Sequence, residues 1–255
     1  MTILLTNDDG IDSPGLAAAR RALAQLGEVE VVAPLGARSC AGKSITIGRT
    51  LRVVEAKTLD GTPAQAVDGT PADAVMIALS ALLKRKPKLL ASGINLGPNM
   101  GLDDVLDSGT LGAAFEAAMR GIPSIAASYC TDGREPVEEG LREAGEVLRR
   151  VAEFVLKEGM PKGVDVISIN VPQGFKLGSS PMRLTRISAK PRRSPYVRVE
   201  GGYAIKSWGL DLYPADGEDT DVGAVRRGFL SITPISLRLP ARRRGCEGLL
   251  RAIQG

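Results

Sequence analysis

Short apolar runs alternate with longer amphipathic stretches between residues 3 and 172. Runs of the length of a buried strand occupy residues 3–5, 29–34, 87–95, 122–129 and 164–172. Stretches with apolar residues at helical spacing occupy residues 13–27, 70–86, 108–121 and 137–159. This alternation is typical of a doubly wound α/β domain, in which helices cover both faces of a mostly parallel sheet.

Two of the predicted helices carry clear start signals. Ser13 suits the N-cap position, and Pro14 follows at the first helical position. Thr70 and Pro71 form the same pair, and Asp73 lies where a capping box requires an acidic residue. These residues place the beginnings of both helices.

Two segments predict hairpins that do not belong to the alternation. Residues 51–56 and 64–69 have the composition of strands, and we expect them to pair outside the parallel run. Residues 196–208 predict a second hairpin, which turns at Gly201 and Gly202.

The chain is longer than an α/β core requires. We predict a catalytic core in residues 1–175, completed by a strand at 229–239. Residues 176–228 would form a hairpin-containing extension, and residues 240–255 a tail with a short helix at 245–254. Because so short a helix is unstable alone, we expect the tail to dock on a neighbouring subunit.

Composition excludes some classes of protein. The chain has 255 residues, a net charge of +4 and three widely spaced cysteines, Cys40, Cys130 and Cys246, whose pairing stays open. No apolar run approaches the ~18 residues that cross a bilayer, so we expect a cytoplasmic protein without membrane association. The basic clusters at 190–193 and 241–245 are expected to be solvated, because aromatic residues for stacking on bases are scarce.

The chain contains no histidine. This excludes a phosphohistidine, an imidazole base and imidazole metal ligands. Any metal site must be built from oxygen atoms, which suit Mg²⁺, Mn²⁺ or Ca²⁺.

Polar residues follow the first apolar strand directly, in the order Asn7, Asp8, Asp9, Gly10. Gly10 lets the chain turn at once, so both carboxylates can converge. Two like charges so close are costly unless a cation lies between them. A helix-capping role fails on spacing, since Ser13 already has that position. We therefore predict a metal site at Asp8 and Asp9.

Asparagine occurs at four positions, and each lies at or just past a predicted strand end: Asn7, Asn95, Asn99 and Asn170. In open α/β sheets, ligands bind beyond the carboxyl ends of the strands. In a chain with so little asparagine, this placement favours a binding site over an ordinary preference for turns.

A glycine-rich stretch, residues 92–114, contains a helix start at Ser108, Gly109 and Thr110. Free N–H groups and the helix dipole at such a start favour an anion such as phosphate. Three acidic residues of the same stretch are expected to be solvated loop charges: Asp103, Asp104 and Asp107.

Familiar nucleotide and hydrolase motifs are missing. The chain has no GxxxxGK[ST] loop and no dinucleotide fingerprint, and a serine or cysteine nucleophile would have no histidine to pair with. Metal-assisted chemistry on a phosphate is the function class that remains.

Four segments together resemble the stationary-phase survival protein family, SurE. They are LLTNDDG, VDGTPADAV, SGINLGPNMGLDDVLDSGTLGAA and TDVGAVRRGFLSITPIS. The resemblance implies an α/β/α sandwich and metal-dependent hydrolysis of nucleoside 5′- and 3′-monophosphates. It also implies homodimers or homotetramers that exchange carboxyl-terminal segments and a protruding hairpin.

The resemblance also implies the site residues. One divalent metal ion per subunit, such as Mg²⁺ or Mn²⁺, would be held by Asp8, Asp9, Ser39 and Asn95. The phosphate would contact Asn99, Ser108, Gly109 and Thr110. The loop around Ser39 departs from the family's Arg-Ser-Gly pattern, so Ser44 is a second candidate for the hydroxyl ligand.

Three questions stay open at this point. Asp8 or Asp9 would act as a general base or as a covalent nucleophile. A broad acid phosphatase or a short-chain polyphosphatase is an alternative activity. Nucleic-acid binding through the basic clusters is the less favoured alternative of another class.

Overall fold

A computed structural model describes residues 1–131, 138–205 and 209–238 of the chain. The strands are β1 (Thr2–Thr6), β2 (Glu28–Pro34), β3 (Val53–Lys57), β4 (Pro63–Val67), β5 (Leu89–Leu96), β6 (Ser124–Cys130), β7 (Val166–Pro172), β8 (Met182–Leu184), β9 (Tyr196–Val199), β10 (Gly202–Ile205) and β11 (Leu230–Ile235). The helices are α1 (Pro14–Leu23), α2 (Pro71–Ile77), α3 (Gly101–Asp107), α4 (Gly109–Ala118), α5 (Glu138–Glu158) and α6 (Asp221–Val225).

In the described ranges, nine strands form one sheet in the order β3-β4-β2-β1-β5-β6-β7-β11-β8. The six strands from β4 to β7 in this order are parallel. At one edge β11 runs antiparallel to β7, and at the other β3 runs antiparallel to β4. The mostly parallel sheet that the alternation predicts is confirmed.

Helices cover both faces of this sheet. Ile3 and Leu5 of β1 belong to the core shared with α1 and α5, whereas Leu4 belongs to the core shared with α2 and α4. All three side chains are fully buried, as expected for a parallel strand covered on both faces. The fold is therefore the predicted three-layer α/β/α sandwich.

The capping signals are confirmed at both helices. Ser13 Oγ accepts a hydrogen bond from the N–H of Gly15, and Pro14 is the first residue of α1. Thr70 caps α2 and forms a capping box with Asp73. A π-helical turn, Ala78–Leu82, follows α2 directly.

The prediction that residues 51–69 pair outside the parallel run is wrong. Strands β3 and β4 do form a hairpin, but β4 also pairs in parallel with the end of β2. Ala64 and Ala66 lie on the same face of β4 and are buried in the α1/α5 core. Because β4 thus has a buried face, the hairpin belongs to the main sheet.

The second hairpin, β9 with β10, is present and turns at Glu200 and Gly201, one residue earlier than predicted. Gly201 has a φ of +80°, which glycine adopts without strain. The tail at 240–255, its predicted helix, Cys246 and the basic cluster at 241–245 lie outside the described residues. The division into core, extension and tail stays a prediction.

Helix α5 is the longest helix of the described segments, and it is amphipathic. No helix in these segments is both long and apolar enough to span a bilayer.

The order of the strands places a switch point at β1. From β1 the chain passes to β2 on one side, and it later returns to β5 on the other side. The carboxyl ends of β1 and β5 therefore border the crevice in which open α/β sheets bind ligands.

We expect Gly15→Ala to destabilise the protein, because α1 packs its backbone against β5 at this crevice. A Cβ added at Gly15 would lie 1.9 Å from the carbonyl oxygen of Ile94. Overpacking of this kind outweighs the ~1 kcal/mol that alanine gains over glycine in a helix, and we expect a net loss of about 2 kcal/mol. Chemical denaturation measures the loss.

Gly202→Ala is the control, because nothing lies within 4 Å of an added Cβ there. Its free energy of unfolding should stay within ~0.5 kcal/mol of the original value. An equally small effect of Gly15→Ala would contradict the close packing of α1 on β5.

Candidate active site

A cavity of about 290 Å³ opens beyond the carboxyl ends of β1 and β5. Six of the eight predicted site residues line it: Asp8, Asp9, Ser39, Asn95, Asn99 and Ser108. The other two, Gly109 and Thr110, lie against Asp8. The structure thus brings together residues that are up to 102 positions apart in the chain.

The turn after β1 presents the two carboxylates. Asn7 Nδ2 donates to the carbonyl oxygen of Gly10 at 2.9 Å, and Gly10 has a φ of +100°. The N–H of Arg38 donates to the carbonyl oxygen of Asp8 at 2.7 Å. Asn7 therefore shapes the turn, a role consistent with its place at a strand end.

The start of α4 supports Asp8. The hydroxyl of Thr110 donates to Asp8 Oδ1, and a Cβ added at Gly109 would lie 2.8 Å from the Cβ of Asp8. Glycine is required there because the helix start lies directly against the aspartate. A phosphate contact by Thr110 stays a prediction, while the structure assigns its hydroxyl to Asp8.

Burial disfavours the charge on both aspartates. Burial, and then the charge of Asp9, raise the pKa of Asp8 to about 7, although hydrogen bonds from Thr110 oppose the shift. Burial also raises the pKa of Asp9, whose Oδ2 accepts from the N–H of Leu96 at 3.1 Å. Oδ1 of Asp8 and Oδ2 of Asp9 are thus held by the protein.

The loop after β2 brings Ser39 to the cavity, whereas Ser44 lies outside it. Ser44 is exposed, and its carbonyl oxygen accepts from the hydroxyl of Thr70 at 2.6 Å. Between them, the N–H of Gly42 donates to the carbonyl oxygen of Asp107 at 2.7 Å. Of the two candidate hydroxyls, the geometry favours Ser39.

Helix α4 also anchors this loop. A Cβ at Gly112 would lie 2.1 Å from the carbonyl oxygen of Gly42, so the loop backbone lies directly on the helix. Lys43 forms an ion pair with the buried carboxylate of Glu116, which also pairs with Arg120. The loop position, and with it that of Ser39, therefore depends on α4.

The remaining three asparagines extend the site. Asn95 Nδ2 donates to the carbonyl oxygen of Gly97 at 2.9 Å, so the predicted ligand atom of Asn95 would be its amide oxygen. Asn99 Nδ2 donates to Ser128 Oγ at 2.8 Å. Asn170, at the end of β7, accepts from the N–H of Asn99 and donates to its carbonyl oxygen, both at 2.9 Å. Asn170 therefore positions the segment that carries Asn99.

The expectation that Asp103, Asp104 and Asp107 are solvated loop charges is wrong. They lie on helix α3, and Asp104 and Asp107 line the cavity. Asp104 is 1% exposed and binds the guanidinium of Arg192, 88 residues away, at 2.7 Å. The residues next to Asp104 in the chain give no sign of this partner, because only the fold brings Arg192 to it.

The expectation that the basic cluster at 190–193 is solvated is wrong at Arg192. Its Nη1 binds Asp104, its Nη2 binds Asp107 at 2.6 Å, and its N–H binds Asp103 at 2.8 Å. Burial disfavours the charge of Arg192, but Asp107 and Asp104 outweigh it and raise the pKa of the guanidinium. Arg192 is therefore a permanent cation beside the cavity wall.

Tyr213 completes this cluster. Its hydroxyl donates to Asp104 Oδ2, which also accepts from the N–H of Met100 at 2.9 Å. Burial raises the pKa of Asp104 to about 6, although these hydrogen bonds and Arg192 oppose the shift. Asp104 is thus ionised above neutral pH. Sequence reasoning missed the roles of Arg192 and Tyr213, whose partners lie far away in the chain, but it included Asn170 as an asparagine at a strand end.

Comparison with known proteins identifies the family. A family model described as Survival protein SurE matches residues 3–194. The chain belongs to the SurE family. The resemblance noted in the sequence is thereby confirmed, and it extends beyond the short motifs to most of the chain.

Relatives from archaea match the chain almost end to end. A protein of Pyrobaculum arsenaticum named 5′-nucleotidase SurE is 41% identical, over 100% of this chain and 98% of the relative. One of the same name from Methanothrix thermoacetophila is 41% identical, over 94% of each chain. Among solved structures, the SurE protein of Aquifex aeolicus is similar, with a TM-score of 0.80, 33% identity and full coverage of both chains.

The donor atoms at this SurE site suit a hard divalent cation. Two carboxylates, a hydroxyl and an amide oxygen line one cavity, and oxygen donors of these types bind Mg²⁺ and Mn²⁺. No three acidic or thiol side chains are grouped for a metal in the described part of the chain. A cation there would therefore depend on neutral oxygens as well as on Asp8 and Asp9.

We expect Asp8→Asn to stabilise the protein in the presence of a chelator at pH 8. The folded-state pKa of Asp8, about 7, exceeds the ordinary 3.8, so folding takes up a proton between these values. The free energy of unfolding therefore falls as pH rises from about 4 to about 7, by on the order of 4 kcal/mol at most. Asparagine removes this loss, so thermal melts in EDTA should favour the variant at pH 8 and less so at pH 5.

Asp60→Asn is the control of opposite sign. Burial opposes ionisation of Asp60, but hydrogen bonds from Thr58 and Arg20 outweigh it and lower its pKa to about 2. This variant should melt earlier than the original protein at pH 8. If Asp8→Asn also melts earlier at pH 8, Asp8 is a stabilising carboxylate and the account of its charge is wrong.

Proposed function

We propose that the chain is a divalent-metal-dependent phosphomonoesterase, which hydrolyses nucleoside 5′- and 3′-monophosphates to nucleoside and phosphate. Membership of the SurE family, and full-length relatives named 5′-nucleotidase, support an enzyme acting on nucleotides. The observation that carries the proposal is the adjacent pair of Asp8, which is buried, and Asp9, which is half-buried, at the switch point of the sheet. We propose a cytoplasmic location.

Asp8, Asp9, Ser39 and Asn95 would hold one cation per subunit. A divalent cation bound there would polarise the phosphoryl group and lower the pKa of a bound water. The chain's part is to fix the ligand atoms. Thr110 and the N–H of Leu96 each hold one carboxylate oxygen, and α4 anchors the loop of Ser39.

The proposed contacts of the phosphate oxygens are Asn99, Ser108 and the start of α4 at Gly109 and Thr110. Asn170 binds the backbone N–H and carbonyl oxygen of Asn99, and Ser128 Oγ accepts from its side-chain amide, so that amide is oriented before the substrate binds. Donors fixed in advance need no reorganisation as charge develops on the phosphoryl oxygens.

Asp8 and Asp9 are the proposed catalytic residues. Either one accepts the proton of the attacking water or attacks phosphorus itself. A substrate with a chiral phosphate separates these roles. Direct attack by water inverts the configuration at phosphorus, whereas two successive displacements retain it.

We expect hydrolysis of nucleoside monophosphates to stop in EDTA and to return with Mn²⁺ or Mg²⁺. Asp8→Asn and Asp9→Asn should each lower turnover by about a hundredfold or more at saturating Mn²⁺, since the charge that holds the cation is lost. A panel of p-nitrophenyl phosphate, nucleotides and short polyphosphates measures activity and separates the nucleotidase from a broad phosphatase or polyphosphatase.

Asp12→Asn is the matched control, because Asp12 follows the same turn and is exposed. It should keep its turnover within about twofold. Normal hydrolysis by Asp8→Asn and Asp9→Asn would exclude the proposed metal site, and activity that survives EDTA would exclude metal dependence.

We also propose a homodimer or homotetramer, in which the carboxyl-terminal segment and the hairpin dock on a neighbouring subunit. Tyr203 and Tyr196 of the hairpin are 74% and 59% exposed, which supports a contact there. A protein truncated after Leu239 should give the mass of a monomer, or aggregate, in light scattering. An unchanged oligomer after truncation would contradict the role of the tail.

A further inference from the structure

The cavity wall carries four carboxylates, Asp8, Asp9, Asp104 and Asp107. No lysine or arginine is found among the described residues that line it. A phosphate monoester is a dianion near pH 8, so such a wall repels the substrate of the proposed function. A cation held by Asp8 and Asp9 offsets their charges and leaves those of Asp104 and Asp107.

Arg192 is not among the described residues that line the cavity, but it binds both of these carboxylates. Its two terminal nitrogens reach one aspartate each, at 2.7 Å and 2.6 Å. The side chain of Arg192 is 15% exposed and that of Asp104 2%, so the pair is little screened by water. The extension thereby supplies a fixed positive charge to the core's cavity.

We propose that Arg192 is a positioning residue for substrate binding, which compensates the charges of Asp104 and Asp107 so that a phosphate dianion can enter. This inference rests on the proposed function. It assigns Arg192 no contact with the substrate, since the guanidinium acts through the two carboxylates. Arg192 should therefore govern KM for the phosphate ester much more than kcat.

We test the proposal with Arg192→Met at pH 8, at saturating Mn²⁺. The wall gains one uncompensated negative charge, so KM and the inhibition constant of inorganic phosphate should both rise about tenfold, with kcat within about threefold. The increases in KM and in the inhibition constant should both be smaller at high salt, because salt screens the added repulsion. An unchanged KM in Arg192→Met would overturn the proposal.

Two further variants separate charge from architecture. Arg192→Lys keeps the charge without the forked geometry, and Arg192→Met combined with Asp107→Asn restores the net charge without the ion pair. Both should have a KM within about threefold of the original enzyme. A defect as large as that of Arg192→Met in the double variant would show that Arg192 only holds the extension, and would overturn the proposal.

Asp107→Asn alone keeps the test independent of whether Arg192→Met folds. One negative charge leaves the wall, so KM and the inhibition constant of phosphate should fall, by about threefold or more. An unchanged or higher value in this variant would overturn the proposal. Arg186→Met is the control, because Arg186 pairs with the exposed Asp219 in the same extension.

The proposed function fails separately. If the original protein hydrolyses no nucleoside monophosphate with any divalent cation, the proposed activity is wrong. Calorimetric titration with inorganic phosphate then still measures the effect of Arg192 and Asp107 on anion binding.

Discussion

Two carboxylates on consecutive residues, enclosed at the edge of a parallel sheet, repel each other and lose much of their hydration. The rest of the structure is arranged around that constraint. Burial and mutual repulsion raise the pKa of Asp8 to about 7, against an ordinary 3.8. Thr110, the N–H of Leu96 and the start of α4 offset part of this unfavourable energy. A bound cation would supply the remainder, so binding and folding are coupled at this site.

The elements beyond β1 hold the other parts of the site relative to these carboxylates. Helix α4 contacts Asp8 through Gly109 and carries Glu116, the partner of Lys43 in the loop of Ser39. Arg192 binds Asp104 and Asp107 of helix α3, which line the same cavity. Residues of both the core and the extension thus determine the charge around this cavity, where several carboxylates would surround an anionic substrate.

The sequence predicts the elements whose signals are local. The alternation of apolar and amphipathic stretches predicts the sheet and its two helical layers, and Asp8 and Asp9 stand out because a glycine follows them at a strand end. The start of α4 is predicted from Ser108, but the direction of the Thr110 hydroxyl is not, since it depends on how α4 packs against β1. The burial of Asp104 depends on a partner 88 residues away.

The resemblance to the SurE motifs predicts more of the site residues than the pattern of apolar and polar positions does. The fold explains which residues the resemblance does not predict. It supplies Ser39 as a ligand, and the structure places Ser39 rather than Ser44 at the cavity because Gly42 binds the end of α3. Asp104 and Asp107 of α3 lie within one of the motifs that resemble the family. Their positively charged partner is Arg192, and neither a motif nor the spacing of apolar residues indicated a function there.

We propose that Asp8 and Asp9 hold a catalytic cation together with Ser39 and Asn95. Anomalous diffraction from crystals soaked in Mn²⁺ tests it most directly. We expect one peak per subunit within coordination distance of these four side chains, and we expect Asp9→Asn to lose this peak. A peak elsewhere on the wall, such as between Asp104 and Asp107, or no peak at millimolar Mn²⁺, would contradict it.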